Sequence, residues 1–342
     1  MKKSIKVISI LVVAGFILAA CAMGVLYKYR YTDFIVKSGT IHIPSEGGSY
    51  AMLCDSLMEK EMAKTLTAFE WFANLRGFKN NIKAGRYELK EGMSINAVFN
   101  RIGSGSQSAV QLTFNNIRTL PQLAGRIGDQ LEADSLSFLN YLLCDTVAEH
   151  YGFDAKNFIG MFIPNTYEVW WTTTPKAFTD RMKREYDNFW NEERQAKLKR
   201  TGLSRQQVIT LAAIVDEETN ATEEMPTIAG VYINRLRIGM PLQADPTVKF
   251  AVGDFTLRRV LIRHTKTDSP YNTYMHQGLP PGPICMPSVS AIDAVLNYSD
   301  HKYLYFCAKE DFSGRHNFAR TLAEHNRNAR AYAAALNKAN IK

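Results

Sequence analysis

Apolar side chains run almost unbroken through residues 7–27, with Ser9 the one clearly polar residue among them. As a helix this run is about 31 Å long, close to the roughly 30 Å hydrocarbon thickness of a bilayer. Lysines precede it, and Tyr27, Tyr29 and Tyr31 follow it, at the level where aromatic rings settle between lipid and water. No second run of this kind follows, so everything after Tyr31 is expected on one side of a membrane. The tetrad Leu18-Ala19-Ala20-Cys21 offers a rival reading as a lipoprotein cleavage box, with Cys21 as the lipidated residue. The apolar run continues past Cys21 through Val25 and Leu26, which favours a retained helix. Either reading puts the body of the protein outside the cytoplasm and beside a membrane.

Beyond the run, the pattern breaks into short mixed periods. Residues 39–43 read as extended and Gly47-Gly48 as a turn, while 54–75 carry Leu57, Met62, Leu66 and Phe69 at helical spacing. Residues 84–89 alternate like a strand that Gly92 breaks. Ser94 then reads as the N-cap of a short helix bearing Ile95, Val98 and Phe99. Residues 34–106 thus form a small mixed α/β unit, with Gly103-Ser104-Gly105-Ser106 as a flexible join. Residues 110–114 are strand-like, and helical stretches follow around 119–132 and 135–149. Residues 162–167 form an aromatic-rich loop, Pro175 opens a helix through about 197, and Ser204 caps another through about 219. The remainder alternates loops and strands, with 303–306 as a buried strand, and a helix from about 322 to 336 closes the chain. Strands and helices mix without a regular βαβ alternation, so the expected class is α+β. The expected division is a cytoplasmic tail (1–6), a transmembrane anchor (7–27), the small unit (34–106) and a larger mixed domain (107–342).

Charge changes this picture little. Five of the 41 basic residues (Lys2, Lys3, Lys6, Lys28 and Arg30) and no acidic ones lie in residues 1–31, so 36 basic residues face 33 acidic ones in the remainder. The formal net charge of +8 therefore gathers where lipid headgroups would meet it, and no basic stripe with interleaved aromatics suggests nucleic acid. Basic residues on both sides of the apolar run orient it only mildly, with the N-terminus inside. The five cysteines form no C-x-x-C pair and no zinc-spaced cluster with histidine, and at least three of them read best as small buried hydrophobes. A Cys285–Cys307 disulfide stays open in an oxidising compartment. His316 and His325 have no acidic residue at ligand spacing, so no metal is implied.

The chemistry concentrates in residues 211–219, Leu-Ala-Ala-Ile-Val-Asp-Glu-Glu-Thr. With Leu211 at zero and about 100° per residue, the apolar stripe centres at about 40°. Glu218 falls at about 340°, inside that stripe, Asp216 at about 140° on its edge, and Glu217 at about 240°, facing away. Three consecutive acids thus have different surroundings, and Glu218 alone turns toward the protein body. A carboxyl held among apolar side chains resists ionisation, the property a glycosidase-type general acid needs. Spacing alone leaves two bland readings open: a helix-end cap, or an ion pair with an arginine such as Arg235.

The segment 214–219, Ile-Val-Asp-Glu-Glu-Thr, resembles the I-V-x-x-E-T signature of the endolytic murein transglycosylase family (MltG, or YceG-like). Further matches follow in family order: residues 231–236 (Val-Tyr-Ile-Asn-Arg-Leu), 240–247 (Met-Pro-Leu-Gln-Ala-Asp-Pro-Thr), 271–274 (Tyr-Asn-Thr-Tyr) and 278–284 (Gly-Leu-Pro-Pro-Gly-Pro-Ile). His316, Phe318 and His325-Asn326 complete the series, and residues 84–87 and 162–167 match upstream. Asp216 stands at an unspecified position of the signature, where the family would be expected to carry glutamate, and Phe114-Asn115-Asn116 stands where the family commonly has a Pro-Glu-Gly turn.

The resemblance implies a LysM-like module at 34–106 and a catalytic domain over 107–342. It implies cleavage of the bond between N-acetylmuramic acid and N-acetylglucosamine within nascent peptidoglycan strands, with Glu218 as acid and then base, and with an end to strand elongation. The muramoyl C6 hydroxyl attacks C1 and leaves a 1,6-anhydro end, so one protein carboxyl suffices where a hydrolase usually needs two. Gln243, Asp245, Thr247, Tyr271, Asn272, Thr273 and Tyr274 are the expected substrate-binding residues, Gly278 to Pro283 a rigid cleft wall, and no cofactor is implied. Glycan strands and the bilayer are the expected partners, with cell-wall synthases as further ones, and the expected place is the inner membrane with the body on the periplasmic side. The rival functions are a non-catalytic peptidoglycan-binding scaffold and a hydrolytic muramidase that uses Asp245 as its second carboxylate.

Overall fold

The computed structural model describes residues 2–257 and 259–339, and of the expected N-terminal tail Met1 lies outside them. Helix α1 (Lys2–Tyr31) is long and apolar enough to cross a membrane over Lys6–Tyr31. It belongs to a first unit that comprises the chain up to Gln111 together with 130–133 and 168–174. In this unit β1 (Gly39–Ile43) leads to α2 (Tyr50–Glu59) and α3 (Thr67–Leu75), and β2 (Gly85–Leu89) then pairs antiparallel with β1, Ile41 opposite Tyr87. Helix α4 (Ile95–Gly103) closes the unit's core, which is built around Ile41, Leu53, Leu57, Phe69, Tyr87 and Phe99.

The single helix expected over 54–75 is in fact α2 and α3. Glu61 turns left-handed at φ 54°, and Met62, fully buried, sends its amide to the Leu57 carbonyl and receives the Val36 amide on its own carbonyl. Burying Met62 between two short helices outweighs continuing one. The expected flexible join is likewise ordered: Ser104, Gly105 and Ser106 donate amides to Asn100, Ile102 and Arg101 and form the C-terminal cap of α4.

The second unit comprises 112–129, 134–167 and 175–342. Strands β3 (Val110–Phe114) and β4 (Asn165–Val169), which pair with each other, run across this division, and the helices of the second unit begin with α5 (Leu120–Gly128), α6 (Ser135–Leu142) and α7 (Asp145–His150). The helix expected through about 197 stops at Phe189 as α8 (Pro175–Phe189). Trp190 is buried, and Asn191 caps a new helix, α9 (Glu192–Thr201), by accepting the Arg194 amide.

Helix α10 (Arg205–Glu218) starts at Ser204 in a capping box: Ser204 Oγ accepts the Gln207 amide at 3.2 Å, and Gln207 Oε1 accepts the Ser204 amide at 2.8 Å. Every residue from Val208 to Val215 is buried, so the helix is enclosed on all sides, and its apolar run exceeds a single stripe. Around it pack α11 (Met225–Arg237), α12 (Asp245–Val252) and α13 (Val289–Leu296). These three helices correct the expectation of loops and strands after 219. Gly230 lets α11 approach the segment at Ser299, since a Cβ there would meet the Ser299 carbonyl oxygen at 2.5 Å. An antiparallel pair, β5 (Tyr305–Ala308) and β6 (His316–Ala319), and helix α14 (Leu322–Lys338) complete the unit. Strand β5 is only half-buried, less than expected for 303–306. The five cysteines are free thiols, Cys285 and Cys307 among them.

Candidate active site

Glu218 ends α10, and the helix delivers the three neighbouring acids to three environments. Asp216 accepts the Ser288 amide (3.0 Å) and hydroxyl (2.6 Å), which ties α10 to the N-cap of α13. Glu217 is exposed and pairs through both oxygens with one Arg118 nitrogen at 2.8 Å. Glu218 faces α11, where the hydroxyl of the fully buried Tyr232 donates to its Oε1 at 2.6 Å.

Protein surrounds the Glu218 carboxyl, yet the residue keeps partial solvent access. Burial pushes its pKa up from 4.5 to about 7, and the Asp245 charge adds to the rise. The Tyr232 hydrogen bond and the charges of Arg235 and Lys249 oppose it. Burial also holds the Tyr232 phenol well above its ordinary value, so it stays a donor. Arg235 does not pair with Glu218. Its guanidinium donates to the Leu242 and Leu304 carbonyls, each at 2.6 Å, and lies over the Tyr305 ring. The helix-cap and ion-pair readings of Glu218 therefore give way to a buried, phenol-bound carboxyl.

The remaining sequence-identified residues divide by exposure. Thr247 and Thr273 are buried and share a hydroxyl contact of 2.8 Å, Thr247 also donating to the Ala244 carbonyl and Thr273 accepting the Ala244 amide. Asn272 is fully buried, donates to the Thr265 and Thr267 carbonyls and accepts the Tyr274 amide. Their polar groups are engaged within the protein, where they hold the 271–274 turn against the start of α12. Gln243 and Asp245 are exposed above them. Gln243 takes φ 49°, a left-handed conformation uncommon for a residue with a side chain, while its amide is held by the Thr273 carbonyl. Asp245 opens α12 with Pro246 at the next position, in the first turn where proline is tolerated, and accepts the Tyr274 hydroxyl at 2.7 Å.

Tyr271 is half-buried against Phe250, ring centroids 4.6 Å apart. The Gly278–Pro283 stretch is fixed where a Cβ on Gly282 would strike the Lys156 carbonyl oxygen at 2.2 Å and where Asn157 Nδ2 donates to the Pro281 carbonyl. Away from Glu218, His316 Nδ1 lies 3.0 Å from Glu224, an acid distant in sequence, and the buried His325 Nδ1 has no hydrogen-bond partner. No group of three or more metal-ligating side chains occurs among the described residues.

Sequence reasoning missed Tyr232 as part of the site. Ile228, Val231 and Tyr232 recur at i, i+3 and i+4, a helical spacing that turns the phenol inward with its apolar neighbours.

Comparison with known proteins gives a consistent result. The sequence profile of the YceG-like family matches residues 41–331. An endolytic murein transglycosylase of Bacillus subtilis is 32% identical over 313 residues, covering 87% of this chain and 86% of that protein. One from Streptococcus pneumoniae serotype 2 is 28% identical and covers 91% of this chain, which spans 63% of that longer relative. A crystal structure of a YceG-like protein from Listeria monocytogenes is similar with a TM-score of 0.55 and 27% identity, over 85% of this chain and 99% of that one.

Proposed function

The chain belongs to the YceG-like family, and on that premise we propose that it is a membrane-anchored lytic transglycosylase that cuts within peptidoglycan glycan strands. The observation that carries this reading is Glu218, a carboxyl with a pKa of about 7 held by a buried phenol. At neutral pH such a group is divided between its two forms, which suits a residue that first gives a proton and then takes one. Tyr232 donates to Oε1, which leaves Oε2 for the acidic proton.

Protonated Glu218 gives its proton to the oxygen that links muramic acid to glucosamine as the C1–O bond breaks through an oxocarbenium-like state. The carboxylate so formed takes the proton of the muramoyl C6 hydroxyl. That oxygen bonds to C1 and closes a 1,6-anhydro ring, with no water consumed. Release of such ends would stop elongation of the cut strand. Gln243, Asp245, Tyr271 and Tyr274 are the residues proposed to meet sugar, the tyrosine rings against sugar C–H faces. Thr247, Asn272 and Thr273 act beneath them by holding the turn.

Helix α1 is the proposed single-pass anchor, with the enzyme body on the periplasmic side of the inner membrane and wall synthases as neighbours. The strand–helix–helix–strand order of β1, α2, α3 and β2 supports a LysM-like, glycan-binding role for the first unit. The hydrolytic alternative rests on Asp245, whose charge reaches Glu218. One Asp245 oxygen is already engaged by Tyr274, which favours positioning over activation of water.

Glu218→Gln tests the assignment, because it keeps shape and removes the proton. Cleavage of isolated glycan strands is expected to fall by at least the roughly 10²–10⁴-fold ascribed to general acid–base catalysis. Near-normal turnover in the variant would remove Glu218 from the mechanism.

A further inference from the structure

We infer that the first unit is seated on the bilayer by helix α3, with Trp71 and Leu75 in the lipid interface and lipid filling the groove between α3 and the end of α1. The inference rests on α1 being the membrane anchor.

The connection between α1 and the unit has no slack. Helix α1 ends at Tyr31, and the amides of Phe34 and Ile35 already bond to the Met93 carbonyl while Val36 bonds to that of Met62. Thr32 closes the helix end by donating its amide and hydroxyl to the Lys28 carbonyl. Tyr29, on the last turn of α1, stacks on Phe72 of α3 at 3.6 Å between centroids and lies 6.1 Å from Phe99 of α4. The anchor is thus a buttressed part of this unit, and the bilayer position of α1 fixes that of α3.

That position is low. The groove, about 670 Å³, is lined on the α1 side by Val25, Lys28 and Tyr29 and on the α3 side by Ala68, Trp71 and Phe72. Val25 lies six residues before Tyr31, about 9 Å down the helix axis at 1.5 Å per residue. The apolar run of α1 ends at Tyr27, so a groove that reaches Val25 reaches the boundary between hydrocarbon and headgroups. Trp71 is 54% exposed and Leu75 66% exposed, and with Ala68 they recur at i, i+3 and i+7 on one face of α3. A half-exposed tryptophan at that height is where an amphipathic ring is most stable. Charge agrees: Lys28 and Lys64 at the groove, with Asp33 the one acid lining it, offer a net positive rim to anionic headgroups.

The test uses the full chain reconstituted in phosphatidylglycerol-containing vesicles whose acyl chains carry bromine, which quenches tryptophan emission on contact. Comparison of wild type with Trp71→Phe isolates Trp71 from Trp170, Trp171 and Trp190. The expected result is that bromolipid quenches the wild type and that most of this quenching disappears in Trp71→Phe. If both chains float with the vesicles and are quenched equally, the seat on lipid is wrong while the anchor stands, and the face serves a protein instead. If neither chain floats with the vesicles, the anchor reading and the seat fail together.

Discussion

The hydroxyl of Tyr232 donates to Oε1 of Glu218 at 2.6 Å, from the middle of one buried helix to the last residue of another. This bond opposes the burial that raises the Glu218 pKa. It is therefore a tuning contact, and it also fixes which carboxyl oxygen is left for the proton.

Tyr232→Phe keeps the ring and removes the donor. The phenol favours ionised Glu218, so its loss raises the carboxyl pKa further above 7. A hydrogen bond to a charged group is worth about 1.5–3 kcal/mol, so the alkaline limb of kcat/KM should move up by about one to two pH units. A pH profile with an unmoved limb would show that Tyr232 only packs.

Glu218 should also leave a mark on stability. Its carboxyl titrates at about 7 folded and near 4.5 unfolded. Below pH 4.5 both states are protonated and nothing is lost. Between 4.5 and 7 the folded state holds a proton that the unfolded state has released, so stability falls as pH rises. Above 7 the whole cost is present, up to about 3 kcal/mol. Glu218→Gln should accordingly match the wild type in denaturant titrations at pH 4 and exceed it at pH 8. Equal stability at both values would mean that the carboxyl is not desolvated.

The neighbouring acids are internal controls. Asp216→Ala removes the acceptor at the α13 N-cap and should cost about 1–3 kcal/mol, because the Ser288 amide and hydroxyl lose their partner. Glu217→Gln weakens a partly exposed pair with Arg118 and should change stability by less than about 1 kcal/mol, with glycan cleavage almost unaltered. Calorimetry and a cleavage assay on the two variants separate these effects; a Glu217 variant as inactive as Glu218→Gln would break the division of labour along α10.

The site was legible where periodicity is local. A helical wheel over 211–218 turns Glu218 inward and Glu217 outward, as in the structure, although the helix is buried all round from Val208 to Val215, and Ser204 marks the start of α10. What stayed hidden depends on partners distant in sequence. Nothing near Tyr274 tells that its hydroxyl will meet Asp245, and nothing near His316 points to Glu224. Pro246 was ambiguous: the same residue stiffens a loop or opens a helix, and burial of Thr247 and Val248 decided for the helix. The break between α2 and α3 was equally silent, since the helical spacing continues through the left-handed Glu61. Asn116, where the family commonly has glycine, adopts φ 51°, a conformation asparagine tolerates better than most residues.

The central claim is that the attacking oxygen belongs to the substrate, and digestion of glycan strands in ¹⁸O-labelled water tests it most directly. The expected product carries anhydromuramic ends one water lighter than hydrolysed ends and free of label. Asp245→Asn should slow their release or weaken binding without changing their chemistry. Labelled reducing ends, lost together with Asp245, would contradict the account and make the protein a muramidase.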